Sequence, residues 1–142
     1  MGNDRGRAKG FRNLLVWQRA MELAGAVYQV SARWPSEERY GLMSQARRAS
    51  VSIAANLAKG QGRFGPGEFA RFVSIAHGSL CELETELLLA ARLGYSTEDE
   101  LQPLFSAINE TGKMARGLHD SLQRSRGNSK QGTAEDQDVL YE

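Results

Sequence analysis

Near the middle of the chain, four cations and a set of glycines have the types and spacing to hold a phosphate. Arg47 and Arg48 come first, Lys59 and Arg63 flank Gly60-Gln61-Gly62, and Gly65-Pro66-Gly67 follows. Guanidinium and ammonium groups attract phosphate oxygens by charge and by N–H donation, and the open amides at a helix start add donors of the same sign. The stretch follows a helix and lacks G-x-x-x-x-G-K-[ST], which argues against a nucleotide-binding P-loop. The chemistry it suits is contact with the backbone of RNA or DNA, with little sequence preference and a steep dependence on salt. An ordinary loop made soluble by charge uses the same residues, and on composition alone both readings stand open.

No other set of residues converges on catalysis or on a metal. Di-iron chemistry in a helical bundle uses Glu-x-x-His pairs, whereas Ser74 lies three residues before His77 and Arg116 three before His119. His77 and Cys81 are four apart on one helical face, but two ligands fall short of the usual four of a zinc site, so a structural pair is expected. Gly78-Ser79-Leu80-Cys81 falls mid-helix, not on the strand-turn-helix elbow that presents a nucleophile. Glu82 and Glu86 share a face with no recognisable base or metal ligand nearby, as carboxylates on a solvated or cation-paired helix do. The expectation is no catalytic residue, no metal and no cofactor.

Helices must position these residues. From Leu14 to Trp34 two apolar stripes run side by side: Trp17, Met21, Ala24, Tyr28, Ser31, and Val16, Ala20, Leu23, Val27, Val30, Trp34. One stripe suffices to seat a helix in its own bundle. The second is extra core width or a contact to another subunit, and Val16, Leu23, Val27, Val30 and Trp34 are assigned to that subunit contact. Pro35 stops the helix, and Ser36 offers an N-cap before acidic residues. A second helix runs to Lys59 along the seam Met43, Ala46, Ser50, Ile53, Leu57, with Arg47 and Arg48 off it. Its many small residues suit an inner position, and Gly60 is expected just past its end at C′.

Gly65 at N-cap and Pro66 at N1 open a third helix that should reach Leu93, with Gly94 as its C′ glycine. Thr97-Glu98-Asp99-Glu100 is a capping box for a fourth, which continues through Leu101, Leu104, Ile108, Thr111, Ala115, Leu118 and Leu122. Residues 1–10 read as a flexible basic arm and 125–142 as a disordered polar tail. The fold class expected for 11–124 is all-α: an antiparallel up-down-up-down four-helix bundle.

A chain of 142 residues fits one domain with a core of its own. The single cysteine, Cys81, allows no intrachain disulfide, so a reducing, cytoplasmic setting is expected. No apolar run approaches the ~20 residues that cross a bilayer. Residues 1–64 hold 11 Lys/Arg against 4 Asp/Glu, a balance of +7, and residues 65–142 hold 7 against 13, a balance of −6. Such a chain can offer a basic face to phosphates, or its halves can neutralise each other within or between subunits.

The stretches FRNLLVWQRAMELA (11–24), PSEERYGLMSQARRASVSIAANLAKGQGR (35–63) and EFARFVSIAHGSLCELETELLLAARLGY (68–95) resemble the 23S rRNA intervening-sequence proteins. That family is related in fold to the accessory variability determinant proteins of diversity-generating retroelements. The resemblance runs from Phe11 to about Gln123. It implies a small bacterial four-helix bundle without known catalysis that assembles into a ring, commonly a homopentamer. For the accessory branch it implies binding of nucleic acid and of a reverse transcriptase through a basic surface. Lys59 stands where the family usually carries an acidic residue, which leaves this corner more basic. The resulting expectation is a homo-oligomeric ring that contacts nucleic-acid backbone through Arg47, Arg48, Lys59 and Arg63. A protein-interaction scaffold without nucleic acid is the alternative.

Overall fold

Four long helices make up most of the residues that the computed structural model describes, 10–63 and 65–127: α1 (Leu15–Ser31), α2 (Leu42–Gln61), α3 (Pro66–Arg92) and α4 (Glu98–Gly127). Single 3₁₀ turns at Phe11–Asn13 and Ser36–Glu38 precede α1 and α2, and no strand occurs among the described residues. The arm before Gly10 and the tail after Gly127 lie outside the described residues; α4 runs three residues past the expected bundle boundary at 124.

The helices form a four-helix bundle in which α1 packs on α2 and α4, and α3 packs on the same two. The seams legible in the sequence form the core: Ala46, Ile53 and Leu57 from α2, Ala76, Leu83 and Leu87 from α3, and Leu101, Ala115 and Leu118 from α4 are all buried. On α1 the inward stripe corrects an expectation. Val16, Leu23, Val27 and Trp34 are 3%, 1%, 0% and 3% exposed, so these four belong to the protomer's own core, and Val30 packs against it while staying partly exposed. Because α1 touches two neighbours, it needs an apolar face wider than one stripe, and period alone cannot say which stripe points inward. Met21 and Tyr28, from the other stripe, are the large α1 side chains left about half exposed.

The helix ends show which local signals decided the geometry. α1 stops at Ser31, before Trp34, because the residue preceding Pro35 is driven out of helical conformation. Trp34 turns back into the bundle, where its indole N–H donates to Ser96 Oγ at 2.8 Å. At the end of α3, Gly94 has φ 78°, its N–H donates to the Ala91 carbonyl, and Tyr95 N–H donates to the Ala90 carbonyl, the paired bonds of a Schellman ending. Thr97 Oγ1 accepts the Glu100 N–H at 3.1 Å at the start of α4. Gly65, at φ 95°, precedes Pro66 as expected.

Gly60 differs from its expected role. The helix continues through it to Gln61, and Gly60 is buried against α3. A Cβ there would lie 2.8 Å from Phe72 Cβ and 3.0 Å from Phe69 Cδ1. Its missing side chain brings two helix backbones close together, and the turn itself is left to Gly62 and Gly65.

Candidate functional site

Along the outward side of α2 runs an open groove of about 1140 Å³, walled at one end by Tyr28, Trp34 and Ser36. Arg39, Arg47, Arg48 and Lys59 line it, and among the described residues no carboxylate does. The row is a helical consequence: Ser44, Arg48, Val51, Ala55 and Lys59 recur at three- and four-residue steps, opposite the buried Ala46, Ile53 and Leu57. Charged side chains on the polar face of an amphipathic helix therefore come to share one channel.

Arg47 is held in place. Its Nε donates to Ser31 Oγ at 2.9 Å, its Nη2 donates to the Tyr28 carbonyl at 3.2 Å, and its guanidinium lies 4.6 Å from the Tyr28 ring centroid. A cation bonded to a carbonyl in the last turn of α1 sits at the negative pole of the helix dipole. Arg39, Arg48 and Lys59 extend into solvent. Among the described residues, no carboxylate forms an ion pair with any of these four, or with Arg63.

Three of the four cations expected to act together, Arg47, Arg48 and Lys59, line the groove; Arg63 does not. Arg63 lies at the turn into α3 with its guanidinium 5.1 Å from the Phe72 ring centroid, and Arg71 lies 4.6 Å from the same centroid. Two groove residues escaped the sequence reading, Arg39 and Tyr40. Both precede the helix proper, so its period did not include them. Their signal was Tyr40 standing four residues before Ser44, on the same outward row.

Glu38 fixes this end of the groove. Its Oε1 accepts the Leu42 N–H at 3.0 Å and its Oε2 accepts the Tyr95 hydroxyl at 2.8 Å. Both bonds favour the charged form; the Leu42 amide first and the Tyr95 hydroxyl second hold its carboxyl below the usual range, while Glu38 pushes the Tyr95 phenol upward. Ser36, expected to cap a helix, instead begins the 3₁₀ turn, and the side-chain acceptor at the start of α2 is Glu38.

Bordering the groove, which Ser52 and Asn56 also line, α2 and α3 meet through a polar seam in which Ser52 Oγ and Ser79 Oγ are 2.9 Å apart and Asn56 Nδ2 donates to the Ser52 carbonyl at 2.8 Å. Further along α3, Glu86 has one carboxylate oxygen shut off from water with no hydrogen-bond partner among the described residues. Burial, and then the charge of Glu82, push its pKa up to about 7. His77 Nδ1 and Cys81 Sγ lie 3.9 Å apart on an exposed part of α3. No described helix is long and apolar enough to cross a membrane.

No curated protein matches the chain. The family model described as 23S rRNA-intervening sequence protein matches residues 12–117, which takes in α1, α2, α3 and the first two-thirds of α4. With four helices, the seams that join them and a match over three-quarters of its length, the chain belongs to the 23S rRNA-intervening sequence protein family.

Proposed function

We propose that the protein is a non-enzymatic nucleic-acid-binding bundle, of up-down-up-down course, whose α2 groove holds the backbone of RNA or DNA. Arg48 and Lys59 make the phosphate contacts, Arg39 joins them, and Arg47 supplies charge from its fixed position; Arg63 extends the basic surface at the turn. One observation carries this reading: four cations line one groove that, among the described residues, no carboxylate lines. Assembly into a homo-oligomeric ring of five, and service beside a reverse transcriptase, are further parts of the proposal that rest on the family resemblance.

The test is a fluorescence-anisotropy titration of a labelled oligonucleotide across a salt series. Three to four neutralised phosphates give a log–log salt slope of roughly −2 to −4. Arg48→Ala with Lys59→Ala should weaken binding at low salt and flatten that slope by about 1 to 2. A missing complex at low salt, or a slope the double variant leaves unchanged, overturns the reading.

A second reading, a protein-interaction scaffold, is favoured by Leu88, Leu89 and Leu93, which lie about half exposed on the last turns of α3 and its cap. Exposed apolar residues gathered in this way mark contact surfaces. Capture of the same protein partners after nuclease treatment, abolished by Leu89→Glu, would support it.

A further inference from the structure

We infer that the groove takes a single strand, not a duplex, and that Tyr40 is the platform on which one of its bases stacks. This rests on the nucleic-acid reading above and names the class of ligand for that site. Tyr40 is 91% exposed, the most open of the large apolar side chains among the described residues, and it lines the groove that holds the cations. A phenol ring in water, with neither packing nor a hydrogen bond among the described residues, contributes nothing to the fold that Ala would not. Beside the cation row it has a use, because every base presents a π-face and stacking tolerates any sequence.

The rest of the groove suits the same ligand. Tyr28, about half exposed, carries the Arg47 guanidinium at 4.6 Å, and that guanidinium is fixed by Ser31 Oγ and the Tyr28 carbonyl. A planar cation held in one orientation offers a second surface on which a base can stack, with no ordering left to do on binding. Arg48 and Lys59 continue along the helix; from Ser44 to Lys59 the row spans about 23 Å at ~1.5 Å per residue, room for several nucleotides of extended strand. A duplex keeps its bases stacked on one another and shows a groove of this kind phosphate and sugar alone, so Tyr40 would have nothing to touch.

The experiment compares a labelled oligothymidylate with a blunt duplex of the same length, using the full chain and three variants: Tyr40→Ala, Tyr40→Phe, and Arg48→Ala with Lys59→Ala. The single strand should bind more tightly. Tyr40→Ala should weaken single-strand binding by roughly tenfold, leave the duplex unchanged and keep the salt slope, since it removes a stacking surface and no phosphate contact. Tyr40→Phe, which keeps the ring, should restore the affinity. Because the side chain lies in water, the thermal midpoint should not move. If Tyr40→Ala binds both ligands as the parent does while the cation double variant loses both, the single-strand inference falls and the proposed function stands. If the parent binds neither ligand, both fall. A change in assembly mass on Tyr40→Ala, read by light scattering, would place the ring under a second copy of the chain and likewise overturn the inference.

Discussion

At the scale of single residues, Arg47 and Arg48 are adjacent in sequence and opposite in duty. Arg47 donates to a buried serine and to a helix-end carbonyl, so its removal loses two charge-assisted hydrogen bonds at the end of α1. Arg47→Ala should lower stability by about 1–2 kcal/mol in urea unfolding, and Arg47→Lys should recover little, because an ammonium cannot reproduce the guanidinium fork. Arg48→Ala should stay within about 0.5 kcal/mol of the parent. Binding lost through Arg48→Ala is therefore a statement about the groove, whereas binding lost through Arg47→Ala is not. Glu86 gives a pH signature. Its carboxyl keeps its proton to about pH 7 in the folded chain and would lose it near 4.5 otherwise, so the folded state binds more protons in that interval. This group's contribution should fall as pH rises from about 4.5 to 7 and level off above it. Glu86→Gln should remove that decline, leaving the variant more stable than the parent at pH 8 and little different at pH 4. Chemical melts at the two pH values read the difference.

Among the elements, the crossing of α2 and α3 depends on one missing methyl group. Alanine has the better helix propensity by about 1 kcal/mol, yet a Cβ at position 60 meets Phe72 Cβ, an atom close to the opposing backbone that cannot swing away. Overpacking of this kind costs typically 1–3 kcal/mol. Gly60→Ala should therefore destabilise by up to about 2 kcal/mol net, despite lying in a helix. At the other end of α2, the Glu38 carboxylate holds the first amide of the helix and ties it to Tyr95. Its pKa is lowered in the fold, so its stabilisation is present above the ordinary carboxylate range and is lost as pH falls through the folded value. Glu38→Ala should melt earlier than the parent at neutral pH, and the gap should close in acid.

For the whole molecule, assembly has to use what a single chain leaves in water. With Val16, Leu23, Val27 and Trp34 inside, the large exposed aliphatic side chains among the described residues are Met21, Val51, Ile75, Leu88, Leu89 and Leu93, with Tyr28 and Tyr40 beside the groove. A homo-oligomer should appear in light scattering as a multiple of 15.7 kDa, and Leu89→Glu with Leu93→Glu should shift it toward a single subunit while the helical signal persists. A parent protein already at one subunit's mass would remove the ring from the proposal. The uneven charge along the chain acts at this scale too, since a basic first half and an acidic second half can orient neighbouring copies.

The amino-acid order by itself determined four helices, their seams, and the endings at Gly94 and Thr97, because each rests on chemistry within a few residues: period, a left-handed glycine, an oxygen for an open amide. It also placed Arg48 and Lys59 off the seam of α2. Three matters depended on the packed chain. Which stripe of α1 faces inward is a question of neighbours, because a helix touching two others buries more than one row. Whether Gly60 ends a helix or lets two meet turns on where Phe72 lies across the interface. And Arg47, Arg48, Lys59, Arg39 and Tyr40 became one groove, with Arg63 left outside, only once the end of α1 and the turn at Glu38 supplied its walls.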